Sequence, residues 1–180
     1  MICDKDVANE YYALIVRGSA GGDPVTLARV AGAATDLCDT TSGYSANAWH
    51  HACGVVRTNQ DVSVYIDGGS KGNSIANRSP ANLDRTCIGY SGDSAPGDYM
   101  SGRIAEVAAW NVALTDDEVA ALAGGVPPPR MRPESLVAYW PLAGIGSPEP
   151  DYRGVYDMTL FNAPTTADHA PVGPMFGYDD

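Results

Sequence analysis

The sequence predicts an all-β protein, a two-sheet antiparallel sandwich of the jelly-roll type with one short helix near residues 115–123. Turn formers are abundant, with 20 Gly and 13 Pro among 180 residues. Charged residues make up 18% of the chain, against roughly 25% in an average soluble domain. Short alternating segments recur between turn signals, which is typical of sandwiches. The length suits one domain spanning residues 1–180.

Each predicted strand is a short run of β-forming residues that ends at a turn signal. The clearest is 62–67, where Val62, Val64 and Ile66 alternate with polar residues before the turn pair Asp67-Gly68. Residues 36–44 and 69–84 are polar and are predicted as turns and loop, and residues 162–180 as an irregular tail. The predicted strands are 11–17, 25–31, 49–57, 62–67, 86–90, 103–110, 136–142 and 156–161.

One helix start signal stands out. Thr115 and Glu118 form a Thr-x-x-Glu capping box, in which each side chain can bond the backbone N–H of the other residue. Leu114 and Val119 stand at the positions of a hydrophobic staple. Residues 124–129, two glycines followed later by three prolines, end the helix after about two turns.

The charge balance excludes several partners. The chain has 11 Lys plus Arg and 22 Asp plus Glu, a net charge of −11, so we expect no nucleic-acid partner and no attraction to anionic lipid. No apolar run approaches the ~20 residues of a membrane span, and residues 1–5 lack the apolar stretch of a secretory signal. Most of the acids are Asp, which suits turns. Calcium binding by Asp-rich loops is the alternative interpretation.

The four cysteines show no Cys-x-x-Cys pair, so a zinc knuckle or a thioredoxin-like site has no support. Cys53 and Cys87 stand beside apolar residues and are interpreted as small buried hydrophobes. Two disulfides, Cys3–Cys38 and Cys53–Cys87, remain alternatives, because sequence cannot fix connectivity.

Three motifs resemble a known family. They are residues 49–51 with the hairpin to 64–68, residues 88–89 with 101–111, and residues 113–122. In this order and spacing the segment 45–123 resembles the laminin G-like domains of the concanavalin A-like jelly-roll superfamily. The resemblance implies a two-sheet sandwich for carbohydrate, protein or surface recognition, usually outside the cell or on virus particles.

One departure from the family concerns strand order. Family members usually open with a strand resembling residues 136–142, which here stand late in the chain. We therefore expect strands 136–161 to be either permuted into the vacated place or shared between copies. An incomplete sheet edge invites a neighbouring copy, so a homo-oligomer or larger assembly is expected.

The sequence shows no pattern typical of a catalytic site. Glycoside hydrolysis needs two carboxylates facing one sugar bond, but the strand at 103–110 carries only Glu106 and that at 62–67 only Asp67. His50 and His51 are adjacent, so on a strand they point to opposite faces and cannot chelate one metal; His169 is a distant third histidine. The sequence therefore predicts no enzyme and names no metal ligand.

The candidate binding site is the loop 91–101 and its flanks. Tyr90, Asp93, Asp98 and Tyr99 could offer aromatic rings for sugar faces and carboxylates for hydroxyl groups. The predicted function is non-enzymatic surface recognition or adhesion towards a glycan or surface protein, in the extracellular space or on a virion surface. The alternative is a structural subunit of a virion or extracellular assembly that self-associates by strand sharing. Trp49, Trp110 and Trp140 are predicted to be core residues.

Overall fold

A computed structural model of the chain describes residues 2–4, 9–18, 21–92, 96–144 and 147–171, the first of these ranges by its backbone. It consists of two compact units, residues 1–101 with 113–123 and residues 102–112 with 124–180. None of the helices in the described ranges has the length and apolar character needed to cross a bilayer. That residues 1–180 form a single domain stays a prediction.

The described residues of the first unit form two antiparallel sheets and one helix, which confirms the predicted all-β sandwich class. The five-stranded sheet has the order β4-β3-β2-β1-β8, and the three-stranded sheet has the order β5-β6-β7. The elements are β1 (Ile2–Asp4), β2 (Glu10–Val16), β3 (Pro24–Ala31), β4 (Ala34–Gly43), β5 (Ala52–Thr58), β6 (Asp61–Ile66), β7 (Gly69–Ser74), β8 (Arg85–Cys87) and the helix α1 (Asp116–Ala123).

The core of this unit lies between its two sheets. Alternate residues of β3 and β6 point inward, as the period of two requires. Buried core members are Val25, Leu27, Cys38, Val62, Val64 and Ile66, with Leu14 and Tyr44 packed against them. The opposite face of β6 presents Ser63 and Tyr65, which are also buried, so this strand is covered on both sides.

The helix forms where the capping box predicts it. The Thr115 N–H donates to the Glu118 carboxylate at 2.8 Å, and the Glu118 N–H donates to the Thr115 hydroxyl at 3.3 Å. Leu114 and Val119 are buried. Gly68 lies close to the helix, since a Cβ there would stand 2.8 Å from the Ala120 Cα atom. The helix thus packs directly on the turn after β6.

Two strands of the first unit were predicted as turns or loop. Residues 36–43 belong to β4, and residues 69–74 form β7. The sequence of β7, Gly-Ser-Lys-Gly-Asn-Ser, has no apolar alternation because its partners are polar: Ser63 donates to Asn73 at 2.9 Å, and Lys71 pairs with Asp116 at 2.9 Å. A further strand, β1, pairs with both β2 and β8.

The second unit contains a two-stranded antiparallel sheet of β9 (Val107–Trp110) and β10 (Leu136–Trp140). Short 3-10 turns at Pro128–Arg130 and Pro133–Ser135 lead into β10. The Trp110 indole N–H donates to the Met131 carbonyl at 2.7 Å, which ties this connection to β9.

Three sequence predictions for strands and core need correction. Residues 156–161 are not a strand; they take part in one isolated bridge, Glu149 to Met158. The predicted strand at 103–110 begins only at Val107, because Glu106 has a φ of 57°, which no strand accommodates. Trp49 lies in the loop before β5 and is 37% exposed, whereas Trp140 is buried as predicted.

The late strand β10 pairs with β9, while both sheets of the first unit take all their strands from residues 2–87. That residues 136–161 are permuted or shared between copies stays a prediction. Cys38, Cys53 and Cys87 are free thiols, so neither of the two disulfides considered from the sequence forms. Burial raises the pKa of the Cys38 thiol to about 11, which keeps it protonated and unreactive at neutral pH.

Candidate functional site

The loop after β8 is folded back on itself by backbone hydrogen bonds. The Ser91 N–H donates to the Gly97 carbonyl at 2.9 Å, and the Gly97 N–H donates to the Ser91 carbonyl at 3.1 Å. The Met100 N–H donates to the Gly89 carbonyl at 2.7 Å. These bonds bring the two flanks of the loop together, including the tyrosines on either side.

Tyr90 and Tyr99 stack on each other. Their ring centroids lie 6.0 Å apart with an interplanar angle of 17°, an arrangement that aromatic pairs favour. Tyr90 is half-buried, whereas Tyr99 is 52% exposed. Because stacking uses one face of the Tyr99 ring, its exposure is consistent with an accessible outer face. This tyrosine pair is the aromatic platform of the loop.

The base of the platform is tightly packed. A Cβ at Gly92 would stand 2.0 Å from the Cys87 Sγ atom, so only glycine allows the loop to approach β8 this closely. Burial raises the pKa of the Tyr90 phenol, and a hydrogen bond with the Cys87 thiol raises it further. Tyr90 therefore stays a neutral phenol at physiological pH.

Of the other two predicted site residues, Asp98 is exposed and lies next to Tyr99, with a φ of 50°. Asp93 lies outside the described residues. Within the described ranges, no three His, Cys, Asp or Glu side chains are grouped in a way that could hold a metal ion. The structure thus brings together Tyr90 and Tyr99, with the Asp98 carboxylate beside them in sequence.

A sequence profile described as the concanavalin A-like lectin/glucanases superfamily, of laminin G type, matches residues 3–120. The chain belongs to this laminin G-like family. Its match covers both sheets of the first unit and most of the helix. Membership supports a module of the carbohydrate-binding or adhesion type, on a fold that is typically non-catalytic.

Among solved structures, this laminin G-like chain is similar to an S-layer domain-containing protein from Clostridium thermocellum, with 20% identity and a TM-score of 0.40. The match covers 67% of this chain and 59% of that chain. No curated protein matches the sequence.

The laminin G-like unit also contains a Ser45–His50–Asp67 group that the sequence analysis missed. His50 Nδ1 lies 2.8 Å from Asp67 Oδ2, and His50 Nε2 lies 3.1 Å from the hydroxyl, the backbone nitrogen and the carbonyl oxygen of Ser45. When Nδ1 donates to Asp67, Nε2 has a single lone pair, and the Ser45 N–H already donates to it. The group therefore orders the loop before β5 and is a poor general base.

His51 has a different role from His50. The backbone N–H of His51 donates to Asp67 Oδ1 at 3.0 Å. The Asp67 carboxylate therefore holds both His50 and His51 in place. Burial lowers the pKa of His51, which keeps the imidazole neutral at physiological pH. His51 Nδ1 is buried without a hydrogen-bond partner. Both histidines thus contact the Asp67 carboxylate, and they precede β5 instead of lying on it.

In the second unit, Glu106 joins two residues that are distant in sequence. The Tyr139 hydroxyl donates to Glu106 Oε2 at 2.6 Å, and His169 Nε2 lies 3.1 Å from Glu106 Oε1. Burial raises the pKa of the Tyr139 phenol, and its bond to Glu106 raises it further. Glu106 lies at the margin of the sheet, and this contact set has one carboxylate rather than the pair that glycoside hydrolysis needs.

Asp151 organises the turn after β10. Its carboxylate accepts hydrogen bonds from the backbone N–H groups of Tyr139 (2.8 Å), Arg153 (3.1 Å), Val155 (3.2 Å) and Tyr156 (3.2 Å). Burial alone would raise the pKa of Asp151, but these four bonds hold it below its usual value. This capture of the backbone explains why the residues after Asp151 form turns.

Proposed function

We propose that this laminin G-like chain is a non-enzymatic recognition module that binds glycans through the loop between Tyr90 and Tyr99, at an extracellular or cell-exposed surface. The observation that carries the proposal is the stacked tyrosine pair with a half-exposed Tyr99 ring. Sugar rings have apolar C–H faces that pack on aromatic rings. A ring already supported on one side loses little freedom when a sugar packs on the other.

The polar groups around the platform suit sugar hydroxyls. Asp98 presents a carboxylate, which accepts strong hydrogen bonds from hydroxyl donors. The Tyr99 hydroxyl lies 3.5 Å from the Pro96 carbonyl, a weak contact that a ligand could replace. A few oriented polar groups beside an apolar surface are the usual composition of a small-molecule site.

A glycan array with three proteins tests the proposal: the unchanged chain, Tyr99→Ala and Tyr152→Ala. Tyr152 is a matched control, since it is 51% exposed and lies outside the loop. Loss of an aromatic contact of about 1.4 kcal/mol weakens binding roughly tenfold. We expect that loss for Tyr99→Ala alone. Absence of any glycan bound by the unchanged chain, or equal loss in both variants, contradicts the proposal.

Calcium enters the proposal as an accessory ligand of the same loop, through Asp98. A ligand that binds only the folded state stabilises it by about 2.7 kcal/mol at a concentration of 100 times its Kd. A calcium titration of the melting temperature therefore tests this part, with Asp98→Asn as the matched variant. A rise that Asp98→Asn abolishes supports calcium binding, and an unchanged melting temperature excludes it.

A self-associating structural subunit is the second candidate function. The observation in its favour is the edge of β9, which has β10 as its only strand partner among the described residues. The other edge of the sheet is engaged, since Tyr139 bonds Asp151 and Tyr152 there. An open edge can pair with another chain. Light scattering after size-exclusion chromatography tests this, and a stable monomer at all concentrations argues against it.

A further inference from the structure

Residues 163–171, here called the strap, contain neither helix nor strand and are largely exposed. They nevertheless pack closely on other residues of the second unit at two points. A Cβ at Gly144 would stand 2.1 Å from the Thr166 Cγ2 atom, so Thr166 packs directly on the Gly144 backbone. The second point is His169.

The His169 imidazole is surrounded by oxygen atoms. Nε2 lies 3.0 Å from the Pro141 carbonyl and 3.1 Å from Glu106 Oε1, and Nδ1 lies 2.9 Å from the Ala170 carbonyl. A neutral imidazole has one N–H group, so one ring nitrogen would direct a lone pair at an oxygen. The imidazolium has two N–H groups and satisfies both sides. The geometry therefore selects the protonated ring.

In the part of the chain that the structure describes, few other charged or titratable groups lie near the ring. Tyr139 donates its hydroxyl to Glu106, and it contributes no charge. Asp168, the next residue in the strap, is 99% exposed and pairs with Arg103 at 3.7 Å. Among the described residues, Glu106 is thus the one carboxylate in direct contact with the ring, and its side chain is only 14% exposed.

We propose that His169 is a pH-sensitive clip that holds the strap on the second unit at mildly acidic pH and releases it as the pH rises. Burial alone would lower the pKa of His169, but hydrogen bonds to the Pro141 and Ala170 carbonyls and the charge of Glu106 raise it. A raised folded-state pKa means that the clip is at full strength below the unfolded value of about 6.5 and is lost as the pH rises through the folded value.

Backbone order parameters from ¹⁵N relaxation of the full chain test the clip. Residues 165–170 contain no proline, so each has a backbone N–H that can report on the strap. At pH 5.5 we expect values near those of rigid backbone, about 0.85, and at pH 8.5 values below about 0.6. Strap residues that are equally ordered at both pH values, or more ordered at pH 8.5, overturn the proposal.

Three variants assign the transition to the clip. His169→Gln should abolish it, since the amide does not titrate. Glu106→Gln should move it to lower pH, because the imidazolium loses its partner charge. Asp168→Asn is the matched control, and it should retain the transition within a shift smaller than that of Glu106→Gln. A transition that survives in His169→Gln refutes the role of His169 even if the strap does loosen with pH.

Discussion

Replacing Arg29 with alanine should strongly destabilise the first unit, because its side chain is fully buried in a complete set of hydrogen bonds. Nε and Nη2 donate to Asp36 Oδ2 at 3.1 and 2.6 Å. Nη1 donates to the carbonyls of Asn59 at 2.8 Å and Arg78 at 3.3 Å, and Nη2 also donates to the carbonyl of Ala76 at 2.8 Å. One guanidinium thus joins β3 and β4 to two connecting segments.

The expected magnitude follows from what the substitution leaves behind. Removing one partner of a buried ion pair costs about 3–5 kcal/mol, and the Asp36 side chain is only 11% exposed. Water entering the vacated space recovers part of the lost bonds to the three carbonyls, so we expect about 4 kcal/mol for Arg29→Ala. Arg29→Lys keeps the charge but has three donors instead of five, and we expect about 2 kcal/mol.

Urea unfolding followed by circular dichroism measures the loss, and hydrogen exchange of peptides from β3 assigns it to the first unit. The midpoint should fall with an unchanged slope. Arg17→Ala is the matched control, since Arg17 pairs with Asp39 at 3.3 Å on a partly exposed surface, where an ion pair contributes less than about 1 kcal/mol. Equal costs for Arg29→Ala and Arg17→Ala refute the reasoning.

Four further substitutions test three separate parts of the fold. Gly72→Ala should lower the free energy of unfolding, measured with urea, by about 3 kcal/mol, because the added Cβ would stand 1.9 Å from the Asp39 carbonyl oxygen. An unchanged free energy of unfolding contradicts the close approach of β7 and β4. Asp151→Asn should destabilise the second unit by about 2 kcal/mol at pH 7. Because the pKa of Asp151 is lowered in the folded protein, this difference in stability should be lost as the pH falls through that folded-state pKa. A difference in melting temperature that does not change with pH contradicts the prediction. Thr115→Ala should lower the free energy of unfolding, measured with urea, by about 1 kcal/mol. Glu118→Gln should lower it much less, since the amide oxygen can still accept the hydrogen bond from the Thr115 N–H. Equal losses for the two variants contradict the capping box.

Patterns that depend on local chemistry predicted the fold well. The alternation over residues 62–67 predicts a strand, and the structure places β6 at Asp61–Ile66 with Val62, Val64 and Ile66 in the core. The capping box predicts the helix, and both of its reciprocal bonds form. In each case the residues that determine the element are contained in the element itself or adjoin it.

Elements that depend on distant partners could not be predicted in this way. In β4, Asp36 belongs in a strand because Arg29 and Ser74 bond its two oxygens, and neither partner is evident from the segment. In β7, Gly72 is required by the approach of the Asp39 carbonyl. Residues 156–161 show the opposite case, since their composition predicts a strand that does not form. The Asp151 carboxylate accepts hydrogen bonds from the N–H groups of Val155 and Tyr156, which holds the chain in turns at this point.

Part of the candidate site could be predicted from the sequence. Tyr90 and Tyr99 flank one Gly- and Asp-rich loop, so their proximity follows if the loop closes, and the bonds between Ser91 and Gly97 close it. The contact of Glu106 with Tyr139 and His169 joins residues that no local pattern connects. In the sequence, Glu106 is a single carboxylate on a predicted strand, and nothing beyond its charge indicates its contacts with Tyr139 and His169.

The most direct test of glycan recognition by the loop is chemical-shift mapping of the ¹⁵N-labelled full chain with the soluble oligosaccharide that scores highest on the array. The proposal predicts that the perturbed amides cluster at Tyr90 and at residues 97–100, and that the cluster disappears in Tyr99→Ala. Perturbations confined to the second unit, or a titration that leaves the loop amides unmoved, would contradict it.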